Sequence, residues 1–110
     1  MLPKTHRIKD RALVKKLFEE GRVYKNRVFI FRFMESPDEN WKFAVMLSKK
    51  MTKTAVERNK LRKRVYSAIR LRSHQFKKPL IALAILKNHH PLPNFQEISE
   101  GLDDFIKLPL

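Results

Sequence analysis

The sequence predicts an α+β fold in a single domain over residues 1–110, with elements in the order α, β, β, β, α, β, α. Three observations predict it. Three amphipathic segments each follow a helix-capping residue, Phe alternates with other side chains over residues 27–34, and a continuous apolar run fills 79–86. A chain of 110 residues and 13.2 kDa buries one core but not two independent ones. Its 43% hydrophobic content, with eight Phe, is that of a folding chain rather than a disordered one.

The first helix starts at Asp10, a favourable N-cap, and ends at Gly21, because Leu13, Val14, Leu17 and Phe18 form one stripe at helical spacing. Residues 22–24 (RVY) open the sheet as a short first strand. In RVFIFRFM (27–34), Val28, Ile30 and Arg32 alternate with Phe29, Phe31 and Phe33, so the Phe row faces the core. SPDEN (36–40) supplies turn chemistry before WKFAVMLS (41–48), which predicts a hairpin between these two strands. Thr54, followed three residues later by Glu57, matches a capping box and starts a second helix that runs to about Arg72. PLIALAIL (79–86) has the length and composition of a strand buried on both faces. Asn94 with Glu97 caps a third helix carrying Phe95, Ile98, Leu102, Phe105 and Ile106 on one side.

Lys and Arg total 25 against 11 acids, a net charge of +14, which on a globular domain points to a polyanionic partner and first to nucleic acid. The charge is concentrated: residues 48–72 hold ten Lys or Arg and one acid, Glu57. Glu97, Glu100, Asp103 and Asp104 gather instead near the C-terminus, where the Asp103-Asp104 pair reads as a solvated helix face. No stretch approaches 18 apolar residues and MLPKTHRIKDR lacks the apolar core of a signal peptide, so a cytoplasmic protein without a membrane partner is expected. Cys is absent, which excludes disulfides and thiolate metal sites. The adjacent His89 and His90 point different ways and read as loop residues, so no metal ligand set is expected. There is no Walker loop, no Gly-rich dinucleotide turn and no Cys nucleophile, and no catalytic residue or bound cofactor is expected in the protein itself.

In AVERNKLRKRV (55–65) five basic residues share a helix with one acid. At 100° per residue Leu61, Val65, Ala68 and Ile69 face the sheet, while Asn59, Lys63, Tyr66 and Arg70 form a row on the opposite side. Arg58 and Arg62 flank the stripe, where their stems cover apolar surface and their guanidinium forks stay free to hold phosphate oxygens in pairs. A solubilising face would intersperse both signs. Like charges at i, i+4 cost a few tenths of a kcal/mol per pair, which a bound polyanion relieves. Phe18 lies beside the first-helix stripe; core packing is its expected role, although an exposed ring would stack on an unpaired base for about 1–3 kcal/mol.

LPKTHRIKD (2–10), LFEEG (17–21) and above all FAVMLSKKMTKTAVERNKLRKR (43–64) resemble the protein subunit of bacterial ribonuclease P. The specific part is Ser48-Lys49-Lys50, then Ala55-Val56 and Arg58-Asn59 with the basic cluster. This chain departs from the family pattern at Lys60, where Arg is usual, and at Tyr66-Ser67, where Arg-Glu is customary; Val14 replaces the first of two helix-one aromatics. The resemblance implies an α/β sandwich around a central mixed four-stranded sheet, with a left-handed βαβ crossover against the usual right-handed rule. It implies a subunit that joins a catalytic RNA and assists endonucleolytic removal of the 5′ leader from precursor tRNA. Arg58, Asn59, Lys60, Arg62, Lys63, Arg64 and Arg70 of the basic helix, with Ser48, Lys49, Lys50 and Lys53 at the strand end and loop, would contact RNA. A cleft between the first helix and the sheet, with Phe18, Val14 and Arg32, would hold the single-stranded leader. Hydrolysis would belong to the RNA and its Mg²⁺ ions, with no further protein partner required. The alternative is a structural, ribosomal-type RNA-binding protein. A DNA regulator is disfavoured by the absence of helix-turn-helix spacing, and a self-sufficient nuclease by the absence of a catalytic set.

Overall fold

Six of the seven side chains of β4 (Leu80–Leu86) are buried, so this strand has no face to give to water. Such a strand must lie inside a sheet with both faces covered. The computed structural model, which describes residues 4–37, 39–48, 50–76, 78–88 and 92–108, places it there. With β1 (Arg22–Lys25), β2 (Phe29–Glu35) and β3 (Lys42–Met46) it forms a mixed sheet in the order β1-β2-β4-β3. β2 runs antiparallel to β4 with Phe31 opposite Ala84, and β3 runs parallel to β4 with Ala44 opposite Leu83.

The hairpin expected between residues 27–34 and 41–48 does not form, because β4 lies between β2 and β3. The SPDEN turn chemistry reverses the chain, but it cannot dictate pairing when a fully apolar strand competes for the central place. The hairpin is instead β1–β2, with Arg22 opposite Phe33 and Lys25 opposite Ile30. Asn26 closes it: its Oδ1 accepts from the backbone N–H of Val28 at 3.0 Å and of Phe29 at 2.9 Å. The parallel pair β3 and β4 is joined through α2 (Ala55–Leu71), the crossover that a parallel connection requires.

Each helix starts at its expected cap, but of the capping box expected at Thr54 and Glu57 only the Thr54 side-chain bond is seen. Asp10 accepts from Ala12 N–H at the start of α1 (Arg11–Glu20), and Thr54 Oγ1 accepts from Glu57 N–H at the start of α2. Asn94 and Glu97 exchange both bonds of a capping box on α3 (Phe95–Ile106). α1 lays Leu13, Val14 and Leu17 on Ile81 and Leu83 of one sheet face. α2 and α3 cover the other face, where the Phe row of β2 meets Phe105 in a stack of 4.1 Å with Phe31 and an edge contact of 5.1 Å with Phe33. Phe95, expected on the buried side of α3, is 45% exposed, one turn ahead of the first buried position, Ile98. Asp103 was expected on a solvated face with Asp104. It accepts instead from Arg72 Nε at 2.7 Å, while Arg72 Nη1 donates to the Ala68 carbonyl, so this pair ties the C-terminal end of α2 to α3.

The outer edge of β3 is covered rather than open. Arg7 bridges Phe43 in parallel register, Ile8 N–H donates to the Phe43 carbonyl at 3.2 Å, and the His6 ring stacks on Trp41 at 3.9 Å while its Nδ1 donates to the Trp41 carbonyl.

α3 approaches the sheet closely at Gly101, whose carbonyl accepts from Asn26 Nδ2 at 3.0 Å. A Cβ there would stand 2.9 Å from Cδ2 of the fully buried Phe29 ring. Gly101→Ala is therefore expected to lower stability by about 1–3 kcal/mol through overpacking, despite the better helix propensity of Ala. Urea unfolding checks this; an unchanged or raised midpoint would show that α3 and Phe29 separate without cost.

Candidate nucleic-acid interface

The basic surface starts where β3 ends. Ser48 turns the chain: its Oγ accepts from Lys50 N–H and its carbonyl from Met51 N–H, both at 3.1 Å. Met51 is 2% exposed and anchors the loop in the core, while Thr52 Oγ1 donates to the Thr54 carbonyl. The flanking Lys50 and Lys53 are thereby held outward, both exposed. Lys49 lies outside the described residues, as do His89 and His90.

Along α2, Leu61, Val65, Ala68 and Ile69 are buried as the helical phase requires. Arg58 and Arg62 are half-buried beside that stripe, and Asn59, Lys60, Lys63, Arg64 and Arg70 are exposed. Arg62 Nη1 donates to Asn59 Oδ1 at 3.1 Å, which holds the first turns of this face in one arrangement. Among the described residues the ion pairs are Lys15–Glu19, Arg27–Glu97 and Arg72–Asp103, so none of these loop and helix cations is matched by a carboxylate.

Tyr66 departs from its expected place in the outward row. It is 7% exposed and its hydroxyl accepts from the Val45 backbone N–H at 3.2 Å. The reason is length: the ring reaches past the apolar stripe to the edge of β3, where an outward N–H needs an acceptor.

The second surface lies on the opposite face of the sheet. Phe18 was expected to pack in the core; it is 42% exposed at the end of α1, with the Arg32 guanidinium 4.8 Å from its ring centroid. Arg32 Nη1 also donates to the Phe18 carbonyl at 3.1 Å, so a cation satisfies the negative end of the α1 dipole and backs the ring. Val14, one turn earlier, packs partly against the cluster of Leu17, Ile81 and Leu83 and offers little open surface. Phe18 and Arg32 are thus brought together, and Val14 supports them.

Beyond the cover of α1 a row crosses all four strands: Lys25, Ile30, Ile85 and Met46, opposite one another in register. Lys25 and Met46 are exposed and Ile30 and Ile85 half-buried, giving a shallow apolar floor edged by a cation. Reasoning from sequence missed Lys25, Ile30, Ile85 and Met46 as candidate site residues. The signal was the Phe alternation itself, which assigns Ile30 to the side away from Phe29 and Phe31. Among the described residues no three His, Cys, Asp or Glu side chains gather as a metal site. Among the described residues no helix is long and apolar enough to cross a membrane.

Residues 2–108 match the family model described as Ribonuclease P. The chain is 23% identical over 107 residues to the ribonuclease P protein component of Pseudanabaena sp. (strain PCC 6903), covering 96% of this chain and 92% of that one. Its fold resembles the RNase P protein from Thermotoga maritima, with a TM-score of 0.81, 21% identity and coverage of 93% and 96%. A Staphylococcus aureus RNase P protein mutant with defective mRNA degradation activity superposes with a TM-score of 0.83, 20% identity and coverage of 94% and 87%. The same elements in the same order, a basic crossover helix and a match across nearly the whole length converge: the chain belongs to the ribonuclease P protein family.

Proposed function

We propose that this protein, as the protein component of the tRNA-processing ribonuclease P, grips the catalytic RNA with the loop and α2 cations and holds the precursor tRNA leader on the opposite sheet face. The observation that carries this reading is the basic surface of α2 and its preceding loop, which no carboxylate neutralises among the described residues. Arg58 and Arg62 supply the directional contacts, since their stems are held against the core and their forks match phosphate oxygens. Lys50, Lys53, Lys60, Lys63, Arg64 and Arg70 add charge that displaces counterions.

The leader lies across the Lys25–Met46 row towards Phe18. Phe18 stacks on a base, Arg32 keeps the ring in place, and Lys25 meets the backbone. Stacking and charge carry little base information, so leader binding tolerates sequence. Phosphodiester hydrolysis is left to the RNA, whose Mg²⁺ ions would supply the activated water and the charge neutralisation, while this chain's residues bind and position. The protein's cations lower the repulsion between two polyanions brought side by side, an effect that matters most when Mg²⁺ is scarce. The work is done in the cytoplasm, where precursor tRNA is made.

Reconstitution with the ribonuclease P RNA of the same source tests the whole reading: leader removal at low Mg²⁺ is expected to rise well above that of RNA alone, and no gain would sink it. Replacing Arg58 and Arg62 with Ala is expected to weaken RNA binding and to flatten the plot of log K against log salt by about 0.7–0.9 per lost phosphate contact. A filter-binding salt series with an unchanged slope would move the interface elsewhere. Phe18→Ala is expected to cut the preference for precursor over mature tRNA by up to about 1–3 kcal/mol, with a stability loss of about 1–2 kcal/mol because Phe18 is 42% exposed and the rest is packed. Competition binding and thermal unfolding on the same variant separate the two effects.

A further inference from the structure

A pocket of ≈ 240 Å³ opens along α2, lined by Asn59, Arg62, Lys63 and Tyr66. Its chemistry is one-sided. The Asn59 oxygen is engaged by Arg62 Nη1, a group that can only donate, so the Asn59 amide N–H groups are left over. The Tyr66 oxygen accepts from Val45 N–H, which uses a lone pair and leaves the O–H hydrogen for a second partner. Arg62 and Lys63 have no acceptor function at all. Four side chains that carry donors therefore line one space with no carboxylate among them, and two of them are cations. At about 30 Å³ per water the space admits a phosphate group with accompanying solvent.

We propose that Tyr66 is a phosphate ligand: its hydroxyl, fixed from behind by Val45, donates to a backbone phosphate of the catalytic RNA seated in this pocket. The proposal rests on the reading that α2 binds that RNA and adds a residue and a kind of contact to it. Tyr66 is a neutral donor that is already positioned, so it loses little rotamer freedom on binding and displaces no counterion of its own. The signature that separates Tyr66 from its cationic neighbours is thus affinity without salt dependence. The phenol serves two elements at once, since its acceptor side completes the β3 edge and its donor side faces RNA.

The test compares Tyr66→Phe with Lys63→Ala in the reconstituted complex with ribonuclease P RNA. Tyr66→Phe is expected to weaken binding about tenfold at every salt concentration with the slope unchanged. Lys63→Ala is expected to lower the slope by about 0.7–0.9. Because Tyr66→Phe also strips Val45 of its acceptor, a second measurement keeps the Tyr66 hydroxyl. The protein holds two tyrosines, Tyr24 and Tyr66, so 3-fluorotyrosine labelling gives two ¹⁹F resonances, assigned through Tyr24→Phe. Addition of inorganic phosphate is expected to move the Tyr66 resonance and leave that of Tyr24, which is packed against Phe31 and Phe105, in place. A static Tyr66 resonance, or Tyr66→Phe that loses stability but binds RNA as the parent does, overturns the proposal. If Lys63→Ala still changes the slope in that case, the RNA-binding role of α2 stands without Tyr66; if neither variant affects RNA binding, that role falls as well.

Discussion

β4 is apolar on both faces and hydrogen-bonded on both edges, antiparallel to β2 and parallel to β3. A parallel neighbour cannot be reached by a tight turn, so the chain between β3 and β4 has to travel the length of the sheet and return. That return is α2, and its path over the sheet is set by the need to bury Leu61, Val65, Ala68 and Ile69 against the Phe row. Once those four positions are fixed, every other position of the helix is fixed by the 3.6-residue period. The cations have no freedom to be elsewhere, and the surface they form is a consequence of the central strand.

The charge of the chain is divided by the same architecture. α3 carries the acids that face cations of the protein itself: Glu97 lies 3.7 Å from Arg27, and Asp103 holds Arg72 at 2.7 Å. The first pair is exposed on the Arg side and contributes little, whereas the Arg72 pair is more enclosed and positions two helices. The cations of α2 and its preceding loop are left to an outside partner. This arrangement costs stability in the free protein through repulsion along α2, and the aromatic core of Phe29, Phe31, Phe43 and Phe105, all within 1% exposure, bears that cost.

Local signals were legible in the sequence. Asp10, Thr54 and Asn94 each cap the helix assigned to them, because a cap depends on residues within one turn. The Phe row and the apolar run were legible because period and composition are local too. What escaped is non-local. The partner of β2 depends on a strand about fifty residues later in the chain, and SPDEN carries no trace of it, whereas Asn26 offered the true hairpin turn and was passed over. Helical phase assigned Tyr66 to the outward row, because phase describes where a Cα–Cβ bond points and not how far a long ring can swing to meet an unpaired N–H. Phe18 reads as core by hydrophobicity; that it stands beyond the sheet cover of α1 depends on where the helix ends relative to Arg32.

The two surfaces lie on opposite faces of one sheet, with α1 and Phe18 on the first and α2 on the second. The sheet between them is a packed apolar layer: Phe29, Phe31 and Leu83 are fully buried within it. A close-packed apolar layer acts as a switch between its two faces only where it has two alternative packings. Contacts made at one face and at the other should then contribute to assembly as nearly independent terms, each set by its own phosphates and bases. On the function proposed above, the protein would act as a rigid spacer: it would set where a leader lies relative to the catalytic RNA, with the sheet thickness, not a conformational relay, linking the two surfaces.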